Sequence, residues 1–149
     1  MARFIFTLQP LLDLRRRQEQ LAQRALAQCN QLRVQFENRL RQQQQIIRSD
    51  KQLLRGRLVG ALDTDELRLH AASTVQGMRS AQRLAVELAG VHKRLSVARD
   101  ELVEATRARR AIELLRDRRY EQWKTQQARA DVAATDELAT MAAARQEYS

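Results

Sequence analysis

The chain has little of what a compact globular core requires. Among its 149 residues are one proline, four glycines, one cysteine and 4% aromatic residues. Glutamine, arginine, alanine and leucine dominate, which is typical of long helices rather than of a layered α/β domain. Because alanine supplies much of the 44% hydrophobic fraction, we expect a thin buried seam, with stability that depends on helix length and on partners.

Targeting signals and internal disulfides are also missing from the sequence. The first ten residues contain no apolar run long enough for a signal peptide or a membrane span. The single Cys29 excludes an internal disulfide and fits a reducing compartment. We therefore expect a cytoplasmic protein without membrane insertion.

The residues of known catalytic and metal-binding motifs are not found in the chain. It has no glycine-rich phosphate loop, no paired cysteine ligands and no nucleophile elbow. The two histidines, His70 and His92, lie far apart, and His92 falls in the apolar rhythm of the second helix. We expect no enzymatic activity, no metal and no cofactor.

A break between Gly56 and Glu66 organises what is otherwise continuous helical sequence. Glycine has low helix propensity, and Asp63 or Thr64 can cap a new helix after it. Two long amphipathic helices with a short connection are usually antiparallel neighbours. The predicted fold is all-α: one antiparallel coiled-coil hairpin with helix 1 at about 8–55, a turn at about 56–64 and helix 2 at about 65–142.

Apolar and small residues recur in steps of mostly four or seven, the rhythm of a supercoiled helix pair. In helix 1 the predicted seam residues are Leu14, Leu21, Ala25, Cys29, Leu32, Phe36, Leu40, Ile47, Leu54 and Leu58. In helix 2 they include Leu67, Ala71, Val75, Met78, Ala85, Leu88, His92, Leu95, Ala98, Leu102, Ala105, Ile112, Leu115 and Trp123. Helix 1 can pair with helix 2 only to about residue 115, so we expect a C-terminal overhang on helix 2.

The net charge of +9 is concentrated in residues 1–60, which carry +8, whereas residues 61–149 carry +1. One basic cluster is Arg15–Arg17, and a second lies at residues 107–119. In the hairpin both clusters fall at the end away from the turn, where they form either a solvated face or a binding site. Tyr120 and Trp123 lie beyond the reach of helix 1, so each is either a candidate anchor for a partner or a residue that packs locally.

Nucleic acid is the disfavoured alternative partner for this charge. A basic-leucine-zipper protein needs a basic stretch that continues into the heptads of a parallel dimer, and the hairpin break argues against that arrangement. Aromatic residues for stacking on single strands are scarce.

Three blocks of the sequence resemble the family of the bacterial flagellar export protein FliJ. They are Phe6–Glu19 (FTLQPLLDLRRRQE), Ala111–Arg119 (AIELLRDRR) and Asp136–Ala139 (DELA). The resemblance covers almost the whole chain, including its length and its break. Leu114 stands where the family commonly has a lysine.

This resemblance implies a soluble, stalk-like component of the flagellar type III export apparatus, associated peripherally with the inner membrane. The implied partners are the hexameric export ATPase, the cytoplasmic region of the membrane export gate, and export chaperones; no nucleotide is bound by the stalk itself. Combined with the charge pattern, it gives the ATPase-binding candidates Arg109, Arg110, Arg116, Arg118, Arg119 and Trp123. The export-gate candidates, on the turn half, are Gln43, Ile46, Ile47, Val75 and Arg79. Two alternatives stay open: the stalk protein of a virulence type III system, and a scaffold with no ATPase partner.

Overall fold

The computed structural model describes residues 3–60 and 63–147 and contains two helices. Helix α1 spans Gln9–Arg57 and helix α2 spans Thr64–Glu147. They pack against each other as an antiparallel hairpin, and no strand occurs in the described ranges. The predicted all-α hairpin with a longer second helix is therefore confirmed.

Both helices take part in two compact units, which are described separately below. The terminal unit consists of the described residues of Met1–Glu19 and Glu104–Ser149. The turn unit consists of the described residues of Gln20–Val103.

The connection between the helices begins after Arg57, and one residue in its described part has a positive φ, a backbone conformation that favours glycine. Gly60 has a φ of 152°, whereas Gly56 lies within the last turn of α1. Asp63 caps α2, as predicted, because its Oδ1 accepts a hydrogen bond of 3.0 Å from the backbone amide of Asp65. The two acidic residues in the first turn, Asp65 and Glu66, also favour the positive end of the helix dipole.

In the turn unit the seam of α2 is shifted by one residue from the predicted one over part of its length. Val91, Leu95 and Ala98 are buried, and His92, which was predicted to lie in the seam, is exposed. Val91 and His92 are adjacent, so the apolar pattern allows two registers there. The close approach of α1 at Gly77 favours the register that buries Val91: a Cβ at this glycine would lie 3.2 Å from Ile47 Cγ1.

In the terminal unit the predicted seam of α1 is also partly wrong. Leu12 is fully buried, whereas Leu14 is 47% exposed. The next positions that face α2 hold Arg16 and Glu19, which bond polar residues of α2 across the pair. A search for apolar residues misses these positions because the seam is polar there.

Candidate functional site

A network of charged side chains joins α1 to α2 in the terminal unit. Glu19 accepts hydrogen bonds from the Nε of Arg109 and, at 2.9 Å, from the hydroxyl of Thr106. Arg109 also donates to Glu113, whose second oxygen accepts a 3.1 Å bond from Arg16. The two basic clusters therefore meet, as the sequence predicted, and Glu113 bridges them.

The network changes the protonation equilibria of its central pair. Hydrogen bonds from the Arg109 guanidinium and the Thr106 hydroxyl stabilise the carboxylate of Glu19 and hold its pKa below its ordinary value of 4.5. The hydrogen bond to Glu19 in turn raises the pKa of Arg109. The side chains of Glu19 and Arg109 are 13% and 20% exposed, so Arg109 has little surface left for a partner.

Aromatic residues of the segment before α1 and of α2 form a cluster in the terminal unit. The ring of Phe4 lies 5.3 Å from that of Tyr120 in an edge-to-face arrangement and 5.8 Å from that of Trp123. Phe6 is buried, and the Arg119 guanidinium lies 5.9 Å from its ring centre. Arg119 also donates a 3.3 Å hydrogen bond to Thr7.

Tyr120 and Trp123 therefore pack locally against Phe4, which is one of the two alternatives that the sequence left open. Residues 3–8 precede α1 and are not helical. An extended chain covers about 3.3 Å per residue, more than twice the rise of a helix, so a few residues reach several turns further along α2. From Lys124 to Arg145, in contrast, every side chain is exposed except the half-buried Gln127.

The N-terminal segment and α2 also enclose an open groove of about 690 Å³. Its walls include the apolar side chains of Phe4, Ile5 and Phe6 and the guanidinium groups of Arg3 and Arg116. Arg116 lies 3.6 Å from the carboxylate of its neighbour Asp117. The groove thus combines apolar walls with positive charge, which suits a partner segment that carries both apolar and acidic residues.

The structure divides the six ATPase-binding candidates into two sets. Arg109, Arg116, Arg119 and Trp123 have partners within the terminal unit, as described above. Arg110 and Arg118 are exposed, and neither forms an ion pair within 4.0 Å among the described residues. Between them on the helix surface is Leu114, which is 58% exposed.

The five export-gate candidates all lie in the turn unit but do not share one face. Gln43 and Ile47 are half-buried beside Gly77. Ile46 is 52% exposed and Val75 is 47% exposed. The adjacent isoleucines therefore differ: Ile47 faces α2 at Gly77, whereas Ile46 is exposed.

The fold defines a coiled-coil hairpin protein. A family model described as Flagellar FliJ protein matches residues 4–148, so the chain belongs to the FliJ family. Neither the search of curated proteins nor the search of solved structures gave a match.

Family membership identifies the chain as a flagellar export-related coiled-coil protein of a non-enzymatic family. Within the described ranges, neither helix combines the length and the apolar character that crossing a bilayer requires.

Proposed function

We propose that this protein is a stalk-like component of the flagellar export apparatus that binds and promotes the hexameric export ATPase. It links the ATPase to the cytoplasmic region of the membrane export gate and handles export chaperones, and it works in the cytoplasm at the periphery of the inner membrane. The observation that carries the proposal is the match to the FliJ family over residues 4–148. The hairpin fold and the surfaces of the terminal unit support it.

We assign the direct ATPase contact to Arg110, Leu114 and Arg118. Two exposed guanidinium groups on either side of an exposed leucine can pair with carboxylates while the leucine is buried in the contact. The other candidates, Arg109, Arg116, Arg119 and Trp123, have partners inside the terminal unit. We propose that Arg109, Arg119 and Trp123 support this surface by fixing the N-terminal segment and α1 against α2, whereas Arg116 pairs with its neighbour Asp117 on the same helix.

The test is ATP hydrolysis by the cognate export ATPase with increasing amounts of this protein. Replacement of both Arg110 and Arg118 with glutamate should raise the concentration needed for half-maximal stimulation by about tenfold, because two favourable charge contacts become repulsive. Helicity should be unchanged, since both side chains are exposed.

The matched control replaces Arg94 and Arg99 with glutamate, which changes the net charge equally at two exposed positions of the turn unit. Equal loss with both double variants would mean that net charge, rather than this surface, drives binding. Wild-type stimulation by the Arg110 and Arg118 variant would remove the assignment. If the wild-type protein neither stimulates nor co-migrates with the ATPase, the scaffold alternative is correct.

We assign the export-gate contact to the turn unit, among Gln43, Ile46, Ile47, Val75 and Arg79, and centre it on Ile46 because the five do not share one face. The exposed Ile46 supplies apolar surface to this contact. Ile46→Asp should weaken binding to the cytoplasmic region of the gate by at least tenfold, measured by titration calorimetry, because a carboxylate would be buried against an apolar partner. Val97→Asp is the control, since Val97 is similarly exposed in the same unit. Unchanged binding by Ile46→Asp would contradict the assignment.

A further inference from the structure

A row of cations on α1 in the turn unit has no acidic partner in the part of the chain that the structure describes. Arg41, Arg48 and Arg55 follow one another at seven-residue spacing, about 10.5 Å along the helix, and Lys51 lies beside them. All four side chains are exposed, and none forms an ion pair within 4.0 Å among the described residues. We call these four residues the cationic row.

The facing flank of α2 cannot neutralise the cationic row. Gly77 lies beside Gln43 and Ile47, and this contact defines the axial register of α2 against α1. In an antiparallel pair with this seam, the flank of α2 beside the cationic row carries Ala71, Met78 and Ala85, again at seven-residue spacing. All three are exposed, and α2 has no carboxylate at any position from Leu67 to Val86.

Together the two flanks form a surface with cations along one side and small or apolar residues along the other. Met78, which is 45% exposed, supplies apolar contact area, and the alanines allow close approach of another backbone. The seven-residue spacing matches the repeat of a supercoiled helix. In two-stranded coiled coils, flanking charges at this spacing normally pair with opposite charges on the partner helix.

We propose that this surface docks an acidic amphipathic α-helix of a partner protein, which packs as a third helix along the turn unit. Carboxylates of the docked helix pair with the cationic row, and its apolar side chains cover Met78, Ala71 and Ala85. On α1 the surface lies away from the gate candidate Ile46, because Arg41 and Ile46 are about 140° apart around the helix. On α2 it adjoins the gate candidate Val75, which lies between Ala71 and Met78. A flat anionic bilayer fits less well, since the cations occupy only one side of the surface.

The experiment measures binding of the full chain to a synthetic three-heptad helical peptide by fluorescence anisotropy. The peptide carries leucine at its seam positions and glutamate at three flanking positions seven residues apart, and a second peptide carries glutamine at those three positions. The tested variant is Arg41→Gln with Arg48→Gln and Arg55→Gln. Its matched control is Arg24→Gln with Arg94→Gln and Arg99→Gln, which removes three exposed charges elsewhere in the turn unit.

We expect the glutamate peptide to bind the wild type and the control alike, and to bind the tested variant about tenfold more weakly, with affinity that falls as salt rises. The glutamine peptide should bind the wild type as weakly as the glutamate peptide binds the tested variant. Equal binding of the glutamate peptide to both variants, or no binding to the wild type, would overturn the proposal. The proposal would also be overturned if the tested variant kept its affinity for the glutamate peptide but, unlike the control variant, no longer bound phosphatidylglycerol vesicles. The same holds if the tested variant kept that affinity but, unlike the control variant, no longer self-associated.

Discussion

The terminal unit and the turn unit hold the same two helices together by different means. In the terminal unit, Glu19 and Arg16 of α1 bond Arg109, Thr106 and Glu113 of α2, and an aromatic cluster lies beside them. In the turn unit, the buried side chains are aliphatic or small: Val91, Leu95 and Ala98. Among the described residues of that unit, one ion pair, Arg57–Glu66, joins the helices.

This difference matters for function because it decides which charges are available to partners. Polar contacts have strict geometry, so they fix the axial position of α1 against α2 in the terminal unit. Most cations of α2 that lie near α1 in this unit already form ion pairs or hydrogen bonds within it. In the turn unit the seam uses few charges. The cationic row therefore stays exposed, and partner binding there would not have to break internal ion pairs.

The largest expected loss of stability comes from truncating the fully buried residue of the terminal unit. Leu12 is fully buried, so Leu12→Ala should lower the free energy of unfolding by about 2–5 kcal/mol. Urea denaturation followed by circular dichroism measures this loss. Leu14→Ala is the control: Leu14 is 47% exposed, and its truncation should cost much less. Equal losses would mean that Leu12 is not the core residue of this unit.

The second prediction concerns the aromatic cluster. Phe4→Ala should lower the free energy of unfolding by about 0.5–1.5 kcal/mol, because Phe4 loses ring contacts with Tyr120 and Trp123. It should also shift the emission of the single tryptophan to longer wavelength as water reaches the ring. Ile5→Ala, at a residue 78% exposed, should leave the emission unchanged. An unshifted Phe4→Ala spectrum would show that the N-terminal segment does not cover Trp123.

Composition and the break predicted the fold because few residues govern it: long runs of good helix formers, the glycines at 56 and 60, and the capping Asp63. The seam was predicted correctly at Leu95 and Ala98, which are buried. The predicted seam residues Leu21, Val75 and Met78 are instead 62%, 47% and 45% exposed. The seam was also predicted poorly where a glycine or charged residues occupy it. Gly77 has no side chain to mark the position, and Glu19 reads as a surface residue until Arg109 is placed opposite it.

The candidate site was also predicted only as far as local sequence patterns reach. Charge runs identified the basic clusters, but sequence could not separate the exposed Arg110 and Arg118 from the paired Arg109. That separation depends on which side of α2 faces α1. The contact of Phe4 with Trp123 joins residues on opposite sides of the hairpin and outside the helical rhythm, so no local pattern marks it.

The third prediction uses two glycines of the turn unit. Gly90 has open space where a Cβ would lie, so Gly90→Ala should raise the free energy of unfolding by roughly 0.5–1 kcal/mol through helix propensity alone. Gly77→Ala gains the same propensity, but its Cβ would lie 3.2 Å from Ile47 Cγ1 and Gln43 Nε2. Its gain should therefore be smaller. Thermal denaturation compares the stabilities of the two variants. An equal gain would show that Ile47 and Gln43 move away from the new Cβ at position 77 without loss of stability.

The smallest expected effect is the pH dependence of the polar network in the terminal unit. The pKa of Glu19 is lowered in the folded state by Arg109 and Thr106, so its carboxylate contributes stability above the ordinary value of 4.5. That contribution is lost as the pH falls through the lowered folded pKa. The difference in unfolding free energy between wild type and Glu19→Gln should therefore be constant near neutral pH and shrink on acidification below 4.5.

Urea denaturation of both proteins between neutral and strongly acidic pH measures this difference. The effect should be smaller than that of Leu12→Ala, because the attraction between partly solvated charges is largely offset by the cost of desolvating them. Glu104→Gln is the control: Glu104 is exposed, and among the described residues it pairs only with Arg107 of its own helix, so its loss should change stability little. If the difference in unfolding free energy between wild type and Glu19→Gln grew on acidification, the fold would not favour the charged form of Glu19. Side-chain shape, rather than this charge, would then set the register of the terminal unit.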